Sequence, residues 1–191
     1  VPHDGVAVGP CMTFSVGMRA PSAGELLLDL AEQLAEPLGE EVRYVDPDLA
    51  PARDAFEIDD AAMLRVQRAL APLQQLDGSG LREWFGRFIT RYRAAQIASP
   101  RKQVMSTDAL MRVLREGARL WRHPWSRFAW ARRARGASLF VAGSSHSCSA
   151  TLAQLLCAQR SLGAGELGPL KGSDAGTLLA LVNDGHLVVQ E

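Results

Sequence analysis

The chain has 191 residues, 47% of them hydrophobic and 22% charged, and its 21 basic and 21 acidic side chains leave no formal net charge. That composition excludes a disordered chain, and the length allows one sizeable core or two small ones. No run approaches the roughly 18–20 apolar residues of a membrane span, and the start lacks the basic-then-apolar order of a signal peptide, so a cytoplasmic setting is expected. Three cysteines, Cys11, Cys148 and Cys157, are an odd number without paired zinc spacing, which argues for reduced thiols rather than a disulfide framework or a zinc ribbon.

The chain opens on Val1, in what reads as a turn after a strand, and an amino-terminal part is expected ahead of it. Residues 6–18 hold a short apolar run, a Gly-Pro turn and an alternation of Met12, Phe14 and Val16 against Thr13 and Ser15, the pattern of a β-hairpin. Two strands alone make no stable sheet, so the rest of that sheet should lie upstream or in another chain. Ser22 and Glu25 then have the spacing of a capping box. The helix they start carries Leu26, Leu30 and Leu34 along one row until Pro37 and Gly39 stop it. After a Pro-rich connection, Asp59 or Asp60 can cap a second helix with Met63, Val66 and Leu70, which the Asp77-Gly78-Ser79-Gly80 turn is expected to end.

The third helix has the clearest pattern: Leu81, Trp84, Phe85, Phe88, Ile89 and Tyr92 fall on one stripe at helical spacing. An aromatic stripe of that width needs a partner surface, and Trp84, Phe85, Phe88, Ile89 and Tyr92 are the expected dimer interface of a small helical bundle. A polar linker follows at Ser99-Pro100-Arg101-Lys102. Beyond it come a helix with Leu110, Val113 and Leu114 that Gly117 ends, and short strands near Leu120-Trp121, Arg127–Trp130 and Ser138–Val141. A helix from Ser149, another over residues 174–183 capped by Gly185, and a final strand Leu187-Val188-Val189 complete the chain. That order looks like a winged-helix variant. The expected fold class is α+β, divided into 1–20 (last strands of a barrel), 21–98 (helical dimerisation region), 99–105 (linker) and 106–191 (winged-helix-like domain).

The segment Pro2-His3-Asp4-Gly5, followed by the hairpin and by Met12-Thr13-Phe14-Ser15-Val16-Gly17-Met18-Arg19-Ala20-Pro21-Ser22, resembles the part of bacterial ribosomal oxygenases that holds the last iron-binding histidine and the next barrel strand. Tyr44-Val45-Asp46-Pro47-Asp48 and Trp84-Phe85-Gly86-Arg87-Phe88-Ile89 are similar to the helical dimerisation region of that family, and residues 179–185 to the end of its winged helix. The resemblance implies a JmjC/cupin barrel that uses Fe(II) and 2-oxoglutarate to hydroxylate a ribosomal protein side chain, arginine on a large-subunit protein in the bacterial members, and a homodimer. It nominates His3 as a metal ligand, with Thr13 and Ser15 as residues lining the co-substrate pocket. A His-x-Asp pair and the basic anchor for 2-oxoglutarate are not found among the 191 residues, so the isolated chain is expected to be inactive.

Residues 61–135 carry 16 bases and 4 acids, whereas residues 1–60 carry 3 bases and 13 acids. Within the basic block, arginines between Arg112 and Arg135 alternate with Trp121, Trp125 and Trp130, which offers phosphate contact and stacking to nucleic acid, or simply core tryptophans between solvated arginines. Ser144, Ser145, His146 and Ser147 read as a helix-capping loop, because the hydrolase elbow would need a second glycine. Two readings of different kinds therefore stand: the carboxy-terminal half of an oxygenase, or a winged-helix interaction module that binds nucleic acid or protein.

Overall fold

A computed structural model describes residues 6, 8–12, 19–39, 54, 56–94, 96–170 and 172–190, with the side chain of Gln74 excepted. The alternating half of the expected hairpin, residues 13–18, lies outside them, as do His3 and Tyr44–Asp48. Gly9 and Pro10 form a bend at the expected Gly-Pro turn, and Val8, Cys11 and Met12 beside it are not in a strand.

Helix α1 (Ala23–Ala35) begins where the capping box places it. The Glu25 amide donates to Ser22 Oγ at 3.2 Å, and the Ser22 amide donates to the Glu25 carboxylate at 2.8 Å. These bonds with Ser22, helped by Arg93 and Tyr92, lower the Glu25 pKa to about 2. Asp59 caps α2 (Asp60–Ala69), and the short α3 (Ala71–Gln74) follows with Pro72 in its first turn. The Asp77-Gly78-Ser79-Gly80 segment does not end the preceding helix; it starts the next one. Asp77 accepts from the Gly80 amide at 2.7 Å and from Ser79 Oγ, so an aspartate before small residues acts as the N-cap of α4 (Gly78–Arg91).

The remaining elements are α5 (Thr107–Arg115), β1 (Arg119–Arg122), β2 (Phe128–Arg132), β3 (Ala137–Val141), β4 (Ser144–Cys148), α6 (Ala150–Ala158), β5 (Ser161–Leu162), α7 (Ala164–Leu167), α8 (Ser173–Asn183) and β6 (Leu187–Gln190). They make two antiparallel three-stranded sheets, in the orders β5-β1-β6 and β2-β3-β4. The serine-rich run expected as a capping loop is strand β4. Only Ser149 beyond it caps a helix, accepting from the Leu152 amide. The β3–β4 connection is the two-residue turn Ala142-Gly143, both residues with positive φ (48° and 93°), as a tight hairpin requires.

One core joins these pieces. Leu110 and Leu114 of α5, Leu120 of β1, Leu139 and Val141 of β3, Leu152 and Leu156 of α6, and Leu178, Leu181 and Val182 of α8 are all buried in it. Each such side chain contributes roughly 1.5–3 kcal/mol by leaving water.

Helix α4 is covered on two faces by other parts of the chain. Helix α4 packs on β2, β3 and β4, with its Gly86 against the Phe140 ring. Trp84 and Phe88, on the face turned away from Gly86, are buried on the side of α1 and stack on each other at 5.7 Å, while Phe85 and Leu81 remain 43% and 44% exposed. Thr90 fastens the other end: its hydroxyl accepts from the Gly143 amide at 3.0 Å and donates back to the Gly86 carbonyl. On its opposite side α4 holds α1, through Trp84 Nε1 donating to Asp29 at 2.8 Å and an Arg91–Asp29 ion pair at 2.6 Å.

Candidate functional site

The carboxy-terminal end of α4 and the β1–β2 loop form two walls of a groove of about 1080 Å³, with Arg19, Ala20 and Pro21 on its rim. Arg19, Arg93, Arg122, Arg127 and Arg160 line it, and no carboxylate lines it among the described residues.

Local structure explains how most of these side chains are placed. The Arg127 guanidinium donates to the carbonyls of Tyr92 and Arg93, capping acceptors that the end of α4 leaves unpaired. Arg122 donates to the Cys157 carbonyl at 3.1 Å and lies over the Phe128 ring, 5.6 Å from its centroid. Arg93 lies over Tyr92 and pairs with Glu25 at 3.1 Å, and that pairing raises its pKa further. Arg19 and Arg160 are exposed and have no carboxylate partner among the described residues. Trp121, on the same groove, is 39% exposed rather than core.

The expected site residues fall in two places. His3, Thr13 and Ser15 lie outside the described residues. Of the expected dimer residues, Trp84 and Phe88 are enclosed by the chain itself, Ile89 and Tyr92 are half-buried on the groove, and Phe85 faces outward. Among the described residues, no group of three or more His, Cys, Asp or Glu side chains is disposed to hold a metal, so these residues do not fit an iron centre.

The three remaining histidines serve structure instead. His186 is buried and shares a 2.9 Å hydrogen bond with Ser126, and its carbonyl accepts from the His123 amide. Burial lowers the pKa of both His146 and His186 below 6.5, and the buried His146 Nε2 has no hydrogen-bond partner among the described residues. A depressed folded-state pKa means that the unfolded chain takes up these protons first. Stability is therefore complete above about pH 6.5 and declines as pH falls below it. The urea midpoint should be lower at pH 5 than at pH 7.5, and His146→Gln should flatten that dependence; a midpoint that rises on acidification would contradict it. Burial also pushes the Cys148 thiol up to about 11, so it is an inert core group.

Sequence reasoning missed Arg160, which stands alone between α6 and β5, and it did not join Arg19 to the groove. Only the interleaving of Trp121 with Arg122 and Arg127 hinted at it.

Helices α5, α6 and α8 packed around short antiparallel strands, with a tight β3–β4 hairpin and a helical extension in front, define a winged-helix protein. The ROXA-like winged helix family model matches residues 74–188, and the chain belongs to that family. The chain is 30% identical over 117 residues to the ribosomal protein uL16 3-hydroxylase of Escherichia coli K12, a match spanning 61% of this chain and 31% of that protein. The crystal structure of the E. coli ribosomal oxygenase YcfD superposes with a TM-score of 0.68 at 22% identity, over 90% of this chain and 47% of that one. YcfD in complex with cobalt and 2-oxoglutarate gives 0.67 at the same identity, over 91% and 47%. The chain thus spans about a third to a half of the length of these relatives, and they share its fold.

Proposed function

We propose that this chain is the carboxy-terminal part of an Fe(II)- and 2-oxoglutarate-dependent oxygenase that hydroxylates a side chain, arginine by family resemblance, of a large-subunit ribosomal protein. The observation that supports this reading is that a ROXA-like winged helix, related over 117 residues to a uL16 hydroxylase, follows a segment in which Pro2-His3-Asp4-Gly5 has the form of the last iron-ligand motif. In this reading His3 supplies one ligand, its partners precede Val1, and Thr13 and Ser15 line the co-substrate pocket. Iron, when bound, supplies the activation of oxygen. The described residues hold and orient: α4 fixes α1 against the winged helix, and the groove offers a recognition surface.

The 191-residue chain alone should neither bind Fe(II) stoichiometrically in anaerobic calorimetry nor decarboxylate 2-oxoglutarate. Extended upstream to include a His-x-Asp or His-x-Glu pair, the protein should turn over, and His3→Ala should lower turnover by more than the ~10–100-fold that loss of an outer-shell partner costs. Tight iron binding by the chain alone, or turnover indifferent to His3, overturns the reading.

The homodimer belongs to the same proposal. Its support is the apolar surface left on the helices, namely Leu27 and Leu28 of α1, Leu64 of α2, Leu73 of α3, and Leu81 and Phe85 of α4, all at least 43% exposed.

A further inference from the structure

We propose that the groove between α4 and the β1–β2 loop is a binding site for single-stranded RNA, gripping the phosphate backbone with its arginines and offering Trp121 as a stacking face.

The charge decides the class of ligand. Five arginines converge on one concavity that no carboxylate lines among the described residues. Glu25 neutralises only Arg93, and Arg127 and Arg122 are held in place by carbonyls, which carry no formal charge. Arg19 and Arg160, without carboxylate partners among the described residues, are left to meet an anion. A run of cations distributed along a groove fits a polyanion rather than one small ion.

The aromatic groups then favour a nucleic acid over an acidic peptide. The Phe128 face is occupied by Arg122 and that of Tyr92 by Arg93, whereas Trp121 is 39% exposed and makes no ring contact among the described residues. An open indole beside phosphate-binding side chains is the arrangement on which bases of an unpaired strand stack without regard to sequence.

Duplex recognition through α6 or α8 is disfavoured by their sequences. Neither α6 (Ala150–Ala158) nor α8 (Ser173–Asn183) contains a lysine or arginine, so neither presents the phosphate contacts that a helix seated in a major groove uses. Five arginines gather on the groove instead. The choice of RNA over DNA rests on the ribosomal reading above; the site rests on the geometry alone.

The test is fluorescence anisotropy with the 191-residue chain and a labelled oligouridine of about twelve nucleotides, without metal or 2-oxoglutarate, across a salt series. Binding is expected to weaken with salt, with a slope near −0.7 for each phosphate engaged. Arg19→Glu with Arg160→Glu should weaken binding at least about tenfold and flatten the slope by about 1.4. Trp121→Ala should weaken it severalfold with the slope unchanged. Arg115→Glu with Arg135→Glu changes net charge equally at exposed positions off the groove, and should leave affinity within about twofold. Circular dichroism establishes that each variant is folded. Absence of binding, equal losses from the two arginine pairs, or equal displacement by poly-glutamate of matched charge overturns the proposal. A oligodeoxyuridine that binds as well as the RNA keeps the site and sinks the preference for RNA. None of these results depends on iron, so the oxygenase reading stands or falls separately.

Discussion

Replacing Gly185 by alanine is expected to destabilise the protein by about 3 kcal/mol or more, read as a fall in thermal midpoint of roughly 6–12 °C. Two effects add. Gly185 follows α8 with φ of +79°, where a side chain costs about 1–2 kcal/mol. A β-carbon there would also run into the carbonyl group of Ser99, which is backbone. That segment has little freedom to retreat: Arg101 N–H donates to the Asn183 carbonyl at 2.8 Å, and the Asn183 amide both accepts from Met105 N–H at 2.8 Å and donates to its carbonyl at 3.1 Å. Gly117 provides the comparison. Its φ is +106°, yet nothing lies within 4 Å of where its β-carbon would stand. Gly117→Ala should therefore cost only the conformational part, about 1–2 kcal/mol. Equal losses in the two variants would show that contact with Ser99 contributes nothing.

Gly86→Ala should likewise destabilise, by about 1–3 kcal/mol, although alanine in a helix interior is ordinarily favoured over glycine by about 1 kcal/mol. The sign reverses because the new methyl would occupy the space of the Phe140 ring, which is 2% exposed and packed between α4 and the sheet. The ring must turn or the helix must lift. Phe140→Leu made on the Gly86→Ala background should recover part of the loss, giving a coupling energy of about 0.5–3 kcal/mol in a double-mutant cycle by chemical denaturation. A stabilised Gly86→Ala protein, or strict additivity, would place α4 elsewhere.

Helix starts were legible in the sequence because their causes are local. Ser22 with Glu25, Asp59, and Ser149 each satisfy amide groups two or three residues away, and pattern alone locates them. The strand β4 was not legible: Ser144, Ser145, His146, Ser147 and Cys148 lack the β-branched and aromatic side chains that mark strands, and only pairing with β3 makes them one. The role of Asp77 is ambiguous in sequence, because Asp-Gly-Ser-Gly serves equally well as a turn or as a cap followed by a helix of small residues. Period and hydrophobicity mark the α4 stripe but do not say which surfaces meet the helix: Trp84 reaches Asp29, 55 positions away, and the opposite Gly86 face meets Phe140, 54 positions away. The groove was least legible of all. Its arginines come from four separate stretches, and only the fold gathers Arg19, Arg93, the β1–β2 loop and Arg160 around one space.

Asp29 takes both Trp84 and Arg91 of α4, and Thr90 of the same helix grips the tip of the β3–β4 hairpin. One helix therefore ties α1 to the hairpin by side-chain bonds at both of its faces. Pro21 on the groove, one residue before the Ser22 cap of α1, thereby stands on a segment anchored to the helix that forms the groove's wall.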